Sequence, residues 1–387
     1  MGELKPGWKR VKFGDVVRLG KERCDPAADG IERYIGLEHM EPGDLRVRSW
    51  GDVSEGTTFT TRVRPGHVLF GKRRAYQRKV AVADFDAVCS GDIYVFESAN
   101  PAQLIPELLP FLCQTDAFFD HAVGTSAGSL SPRTNWTSLA EFELALPPLE
   151  EQRRLLAVLA SSRALRESLT TAETAAGGLL EAVLDAEIGA ISSFAPLQAA
   201  CRPIVRGIDS PGPDTLGGVP YVRIAEMTGS DEIVVERLLR TSKEKADAQP
   251  ESRLEAGDMV VALRGVVGLP VWVPPTAAGA NLSRGTARVS VERAHNGRFI
   301  YWALRSPSVK REVLRNCTGW KGEDLREITL GALRGLMIPL PPRATQDAVA
   351  DRIQAIALCQ KSLAARNARA REMHKVMLDA LHAECER

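Results

Sequence analysis

The sequence lacks the features that mark membrane-spanning, disulfide-rich and metal-binding proteins. Among its 387 residues, no apolar run approaches the ~20 residues that a bilayer-spanning helix needs. The seven cysteines are scattered and never form a Cys-x-x-Cys motif, and the six histidines are isolated, so neither a disulfide framework nor a metal site is predicted. Residues 1–7 lack the apolar stretch of a signal peptide, and we therefore expect a cytoplasmic protein.

Recognisable catalytic motifs are also missing. The sequence has no His-Glu-x-x-His helix and no Asn-Pro-Pro-Tyr or Asp-Pro-Pro-Tyr sequence of the kind that suggests amino-methylation. Residues 66–72 match most of a phosphate-binding loop, but Arg73 follows where Ser or Thr would hold magnesium. We therefore predict no catalytic residues, no metal site and no cofactor in this chain.

Positive charge is concentrated in one part of the chain. The formal net charge is only +1, yet residues 56–83 contain no acidic residue. The basic residues of this segment are Arg62, Arg64, Lys72, Arg73, Arg74, Arg78 and Lys79. A stripe of this kind is typical of a nucleic-acid-binding surface. The alternative is a solvated surface whose charges are paired elsewhere in the fold.

The chain is built from a repeat of about half its length. Pro147-Pro148, followed by Gln152, recurs 194 residues later as Pro341-Pro342 followed by Gln346. Each copy follows an alternating apolar run and precedes a long helical pattern. Strands are predicted at residues 67–70 and 93–96, and one or two helices at 104–121. Residues 33–40 have an echo at 220–227, and residues 64–69 at 255–260, so the two halves are predicted to share an α+β fold.

The two long helices each carry one narrow apolar stripe. Leu155 and Leu159 begin the first stripe, and Val349 and Ile353 begin the second, each with alternating spacings of four and three residues. A narrow stripe needs one partner helix, so we predict that the two helices form an antiparallel, coiled-coil-like pair about 60 Å long. The alternative is that each helix packs on its own domain. Gly177-Gly178 is expected to weaken or kink the first helix.

The order domain, helix, domain, helix resembles the specificity (S) subunit of type I restriction–modification enzymes, the HsdS family. The resemblance covers essentially the whole chain and is carried by Leu-Pro-Pro-Leu-Glu-Glu-Gln-Arg at residues 146–153, by the Trp8 opening at residues 8–17 and by Asn-Leu-Ser-Arg-Gly at 281–285. It implies target recognition domains at 1–148 and 191–342. Spacer helices at 149–190 and 343–387 would complete a pseudo-twofold internal repeat.

The resemblance also implies partners. Each recognition domain would read one half of a split double-stranded DNA sequence. The helices would dock two methyltransferase (HsdM) subunits, which carry S-adenosylmethionine. Restriction (HsdR) subunits, which use ATP and magnesium, would join that core. The assembled complex would be a DNA adenine methyltransferase and an ATP-dependent endonuclease. The implied partner-binding residues are Pro147, Pro148, Gln152, Pro341, Pro342 and Gln346.

DNA-binding residues are predicted from basic and small polar loops. Lysine can hold phosphates, whereas arginine and glutamine can also reach base edges. The candidates are Lys72, Arg73, Arg74, Tyr76, Gln77, Arg78, Lys79, Thr125, Ser126, Arg133, Arg264, Arg284, Arg288 and Lys321. For any single arginine, a surface salt bridge is the alternative. For the whole chain, the alternatives are a solitary nuclease with an unrecognised active site and an adaptor that binds only proteins.

Overall fold

The computed structural model describes residues 4–229, 231–319 and 326–383, and the chain divides into two compact units. Unit 1 comprises residues 1–170 and 365–387, and unit 2 comprises residues 171–364. Both boundaries fall inside long helices, so each unit contains one globular part and a segment of each helix. Within the described ranges, no helix has the length and hydropathy required to cross a bilayer.

Unit 1 contains short strands and helices before the first long helix. Its strands are β1 Lys9–Lys12, β2 Val17–Leu19, β3 Arg33–Ile35, β4 Gly51–Asp52, β5 Thr61–Val63, β6 Val68–Gly71, β7 Val80–Val82, β8 Ala87–Cys89, β9 Ile93–Ser98 and β10 Glu143–Leu146. Its helices are α1 Phe13–Val16, α2 Leu109–Leu112, α3 Asp116–Gly124, α4 Trp136–Ala140 and the long α5 Leu149–Gly189, which continues into unit 2. The predicted strands at 67–70 and 93–96 are confirmed as β6 and β9.

Unit 2 repeats this arrangement. Its strands are β11 Phe194–Pro196, β12 Val205–Arg206, β13 Val219–Val222, β14 Leu239–Thr241, β15 Met259–Ala262, β16 Pro270–Trp272, β17 Asn281–Leu282, β18 Thr286–Val289 and β19 Met337–Pro339. Its helices are α6 Lys243–Asp247, α7 Gly297–Arg305, α8 Pro307–Arg315, α9 Leu330–Arg334 and the long α10 Arg343–Ala383, which ends in unit 1.

The sheets show that the repeat is one of topology. Unit 1 has a sheet of order β2-β9-β6-β7, and unit 2 has the corresponding order β12-β18-β15-β16. In a second sheet, β3 pairs parallel with β8 and antiparallel with β4, as β13 does with β17 and β14. The antiparallel pairs β1-β10 and β11-β19 precede the two long helices. The predicted α+β internal repeat is therefore confirmed.

Each globular part has its own apolar core. In unit 1, Phe13, Phe70, Phe96 and Phe118 are fully buried, and Phe13 meets Phe96 edge to face at 5.4 Å between ring centroids. In unit 2, Phe299 and its neighbours on α7 fill the corresponding space. Six consecutive residues of α7, from Phe299 to Leu304, are buried, so this helix is enclosed by the core around its whole circumference.

The long helices run antiparallel to each other within each unit. In unit 1, the Ser162 hydroxyl lies 3.0 Å from His374 Nδ1, and Asn367 Nδ2 donates to Thr170 Oγ1 at 3.2 Å. In unit 2, Arg352 binds Glu187 through two contacts of 2.7 and 2.8 Å. Leu159 of α5 also packs into the unit 1 core, and Val349 and Ile353 of α10 pack into the unit 2 core. The predicted helix pair and its alternative, packing on the domains, therefore both occur.

Glycine does not break the first helix. Helix α5 is continuous through Gly177 and Gly178, and the expected weakening or kink stays a prediction. A Cβ atom at Gly177 would lie 3.1 Å from Gln360 Nε2 of α10, so the missing side chain allows close approach of the two helices in unit 2.

The buried histidine of the helix pair makes the stability of unit 1 sensitive to pH. Burial, together with Arg166 and Arg163, lowers the pKa of His374 to about 4. Between about pH 6.5 and 4 the unfolded chain therefore binds a proton that the folded chain does not, and stability falls as the pH falls. We expect a loss of up to about 3 kcal/mol over this range. Thermal unfolding of the wild type and of His374→Gln, measured from pH 7 to pH 4.5, should show a steeper loss in the wild type.

Candidate nucleic-acid interface

The loop that follows β6 holds half of the predicted DNA-binding residues, and two of them have strained backbone angles. Arg74 and Arg78 adopt left-handed backbone angles, with φ of 54° and 56°, and they are the only non-glycine residues with positive φ in the part of the chain that is described. Such conformations are unfavourable for arginine and concentrate at functional sites. Between them, Ala75 is buried while Tyr76 is 56% exposed, so the turn presents an aromatic side chain to solvent.

Two arginines from separate loops meet on one carboxylate. Arg73 Nη1 lies 3.1 Å from Asp92 Oδ2, and Arg133 Nε lies 2.9 Å from Asp92 Oδ1. Ser131 Oγ accepts from Arg73 Nη2 at 3.1 Å and from Arg74 Nη2 at 3.4 Å. These five residues form what we call the arginine cluster of unit 1. It leaves the guanidinium groups of Arg73 and Arg133 partly exposed.

Other basic residues of this loop are used inside the unit. The Lys72 ammonium lies 4.5 Å from the centre of the Tyr94 ring, and Lys79 Nζ donates to the Leu37 carbonyl at 2.7 Å. Arg78 pairs with Asp116, and its guanidinium stacks on Phe119 at 4.6 Å. These contacts fix the loop on the β-sheet and on α3, which limits how far these side chains can reach.

The predicted small polar residues cap a helix. Thr125 Oγ1 donates to the His121 carbonyl at 2.8 Å, and Ser126 Oγ donates to the Ala122 carbonyl at 2.7 Å. These carbonyls belong to the last turn of α3, and the His121 carbonyl also accepts from the Thr125 amide at 3.0 Å. Both hydroxyls therefore stabilise the end of the helix, and a role in DNA contact stays a prediction.

Unit 2 places different residues at the equivalent positions. Isolated bridges pair Arg73 with Arg133 in unit 1 and Arg264 with Glu327 in unit 2. Arg264 Nη2 lies 3.0 Å from the Glu327 carboxylate, so a direct ion pair replaces the arginine cluster. We call each bridged pair of backbone positions the frame of its unit. The frame carries two arginines in unit 1 and one arginine with one glutamate in unit 2.

The remaining unit 2 candidates are scattered. Arg284 is exposed in the turn before β18, whereas Arg288 is half-buried within that strand and donates to the Arg253 carbonyl at 2.7 Å. Lys321 lies outside the described residues. Of the predicted DNA-binding residues, Arg73, Arg74 and Arg133 therefore lie together in unit 1. Arg264 lies at the equivalent position in unit 2.

The repeated glutamine is a buried clamp at the start of each long helix. Gln152 Oε1 accepts from the Ile105 amide at 2.9 Å, and its Nε2 donates to the carbonyls of Gln103 and Pro147 at 2.7 and 2.9 Å. Gln346 repeats the pattern, accepting from the Asn296 amide at 2.8 Å and donating to the Pro341 carbonyl at 2.8 Å.

Burial changes the interpretation of the partner-binding prediction. Gln152 and Gln346 are 0% and 1% exposed, and Pro147 and Pro341 are buried beside them. A partner cannot reach these four residues in the folded chain, so we correct their role to holding each long helix against its own domain. Pro148 and Pro342 are exposed, and contact with a partner at these two positions stays a prediction.

Sequence reasoning missed Asp92 and Ser131, which hold the arginines. Asp92 is 19 residues from Arg73 and 41 from Arg133, so no local spacing could have linked them. Burial raises the pKa of the Asp92 carboxyl, but hydrogen bonds from Arg133 and Arg73 outweigh it and leave that pKa lowered. In the described ranges, no group of three or more His, Cys, Asp or Glu side chains could hold a metal ion.

The comparison with known families agrees with this arrangement. Residues 5–173 match the family described as type I restriction modification DNA specificity domain. This family match, the curated relatives and the solved structures described below all support a specificity subunit of a type I restriction–modification system. The chain's similarity to individual members is low: it is 22% identical over 183 residues to the type I restriction enzyme EcoDI specificity subunit of Escherichia coli. That match covers 46% of this chain and only 40% of the relative.

Solved structures of specificity subunits extend the similarity of fold to the whole chain. A chain from work on complex assembly and conformational transition of the type I R-M system matches with a TM-score of 0.62 and 20% identity, covering 98% of this chain and 99% of that one. The S subunit of the type I system from M. genitalium matches with a TM-score of 0.61 and 11% identity, covering 99% and 97%. The family fold therefore persists although most side chains differ.

Proposed function

We propose that this chain is the sequence-specific DNA-binding specificity subunit of a type I restriction–modification system and is itself non-catalytic. Unit 1 and unit 2 would each read one half of a bipartite double-stranded target. The observation that carries the proposal is the repeated frame with different charged residues, Arg73 with Arg133 in one unit and Arg264 with Glu327 in the other. A repeated frame with divergent side chains is what two readers of different half-sites require.

The electrostatics of unit 1 support DNA as the ligand. The arginine cluster contains three arginines against one carboxylate, and an exposed tyrosine stands next to it. Arginine forms paired hydrogen bonds with guanine in the major groove and also binds phosphates, and tyrosine can stack on bases. In unit 2, Glu327 could accept from cytosine, so its ion pair with Arg264 suits a different base pattern.

The partners follow from the family. We propose that the long helices dock two methyltransferase subunits that bind S-adenosylmethionine, and that two restriction subunits using ATP and magnesium join them. The exposed prolines Pro148 and Pro342 lie at the two helix starts and are the proposed edges of these contacts. Methylation of host DNA requires access to that DNA, which makes the cytoplasm the proposed location.

Exchange of unit 1's globular part tests the division of labour. Replacing residues 1–148 by the corresponding domain of another specificity subunit should change one half of the methylated sequence and leave the other half unchanged. Methylation-site sequencing in cells that carry the hybrid and its methyltransferase partner measures this directly. A change in both halves would contradict the assignment of one half-site to each unit.

The non-catalytic assignment has a separate test. The purified chain alone should neither cleave nor methylate duplex DNA when supplied with magnesium, ATP and S-adenosylmethionine. Activity without partners would instead favour a solitary enzyme. Selective binding of a bipartite duplex by the complex with its methyltransferase would rule out an adaptor that binds only proteins.

A further inference from the structure

Asp92 occupies the centre of the arginine cluster, although an acidic residue is unfavourable next to DNA. Its two carboxylate oxygens bind Arg73 and Arg133 at 3.1 and 2.9 Å, and its side chain is only 20% exposed. A carboxylate reduces the attraction of nearby arginines for phosphates, which dominates non-specific binding. Its presence there needs an explanation other than affinity.

The backbone around the cluster is already fixed. The Arg74 amide donates to the Pro132 carbonyl at 2.7 Å, and the Thr134 amide donates to the Lys72 carbonyl at 3.0 Å. These hydrogen bonds join the loop after β6 to the loop before α4. The freedom that remains belongs to the guanidinium groups. Asp92 restricts those of Arg73 and Arg133 through ion pairs, and Ser131 accepts from those of Arg73 and Arg74.

Limiting the orientations of an arginine side chain favours base recognition over phosphate binding. A guanidinium reads guanine only in a planar, bidentate geometry, whereas it binds phosphates in many orientations. Two free guanidinium groups also repel each other, and the carboxylate between them removes that repulsion. The left-handed backbone of Arg74 adds to the same fixed arrangement.

We infer that Asp92 is a positioning residue for sequence recognition by unit 1, holding Arg73 and Arg133 for base edges at the expense of phosphate affinity. The inference rests on the proposed function and adds a residue that determines specificity without contacting DNA. In unit 2 the acidic residue beside the arginine comes from a different position. Gly285 occupies the position equivalent to Asp92, and Glu327 pairs directly with Arg264. An acid therefore orients an arginine in both units.

Asp92→Asn tests this role in the complex of the full chain with its methyltransferase subunits. For non-specific duplex, affinity should rise about threefold and fall more steeply with salt, because two arginines become free for phosphates. For the target duplex, affinity should fall about threefold. The ratio of specific to non-specific affinity would then fall about tenfold, within the range that one recognition contact contributes. Fluorescence anisotropy at several salt concentrations measures both affinities.

Glu97→Gln is the matched control. Glu97 pairs with Arg18 at 2.9 Å, is 25% exposed and lies towards the other end of β9, so its removal changes the charge equally without touching the cluster. This variant should keep the wild-type ratio. Asp92→Glu retains the charge and should recover part of the lost discrimination.

The outcomes separate the possible failures. An unchanged ratio in Asp92→Asn overturns the inference, and so does a parallel loss of both affinities together with a lower melting temperature, which marks a merely structural role. A wild-type complex that does not distinguish target from non-target duplex overturns the proposed function itself.

Discussion

Gln152→Ala is expected to lower the free energy of local opening at the start of α5 by about 3–5 kcal/mol. The substitution removes three hydrogen bonds and leaves the Ile105 amide and the carbonyls of Gln103 and Pro147 without their partner, in a site that is buried at Pro147 and partly buried at the other two. Each buried group without a partner costs about 1–3 kcal/mol, and the missing side chain adds a cavity. Amide hydrogen exchange of the peptides covering residues 100–110 measures the effect.

Arg153→Ala is the natural control for this experiment. Arg153 is adjacent in sequence but exposed, and it pairs at 3.4 Å with Glu150 on the same helix. It should leave exchange at residues 100–110 unchanged. Gln346→Ala should reproduce the Gln152→Ala result in unit 2, around the Asn296 amide. Equal exchange in wild type and Gln152→Ala would show that the clamp does not hold the junction.

Removing the positive charge of the arginine cluster is expected to weaken target binding about 100-fold. The variant combines Arg73→Gln, Arg74→Asn and Arg133→Gln, with asparagine at position 74 because it tolerates the left-handed backbone. Each lost phosphate contact should reduce the slope of log affinity against log salt by ~0.9, and each lost base contact costs about 1–3 kcal/mol. Titrations of duplex DNA between 50 and 200 mM salt, roughly the range in which such slopes are resolved, test both expectations.

A charge-matched variant separates the cluster from the net charge. Arg10, Arg18 and Arg48 are partly exposed arginines of unit 1 that pair with Glu143, Glu97 and Asp44. Replacing all three by glutamine removes as much charge elsewhere on the same unit. We expect less than a threefold change in target affinity. If both variants lost affinity equally, binding would depend on overall charge and not on the cluster.

The repeat could be read from the sequence because it combines a short motif with periodic patterns. The Pro-Pro-x-x-x-Gln phrase marks both helix starts, and the stripes beginning at Leu155 and Val349 predict helices that need a partner. Strands β6 and β9 were predictable because short runs of apolar and aromatic residues stand between Gly or polar turns. Each of these signals lies within a short stretch of neighbouring residues, so it can be recognised in a single sequence.

The candidate site could be predicted only in part, because its geometry depends on distant residues. The basic segment at 72–79 pointed to the loop that holds Arg73 and Arg74, but nothing in it predicts that Lys79 and Arg78 are held internally while Arg73 shares Asp92 with Arg133. The glutamines were assigned to partner contact because their spacing was visible and their burial was not. Burial depends on which main-chain groups the fold brings around them.

The clamp at each helix start has a practical consequence for protein engineering. Gln152 binds three main-chain groups, and Gln346 binds the main chain at Asn296 and Pro341 and also contacts the His295 ring at 3.1 Å. Because every residue type except proline offers both kinds of main-chain group, a foreign domain can meet most of the same clamp without matching side chains. The proline pairs therefore mark graft boundaries at which recognition modules can be exchanged, while the helix that receives them keeps its anchor.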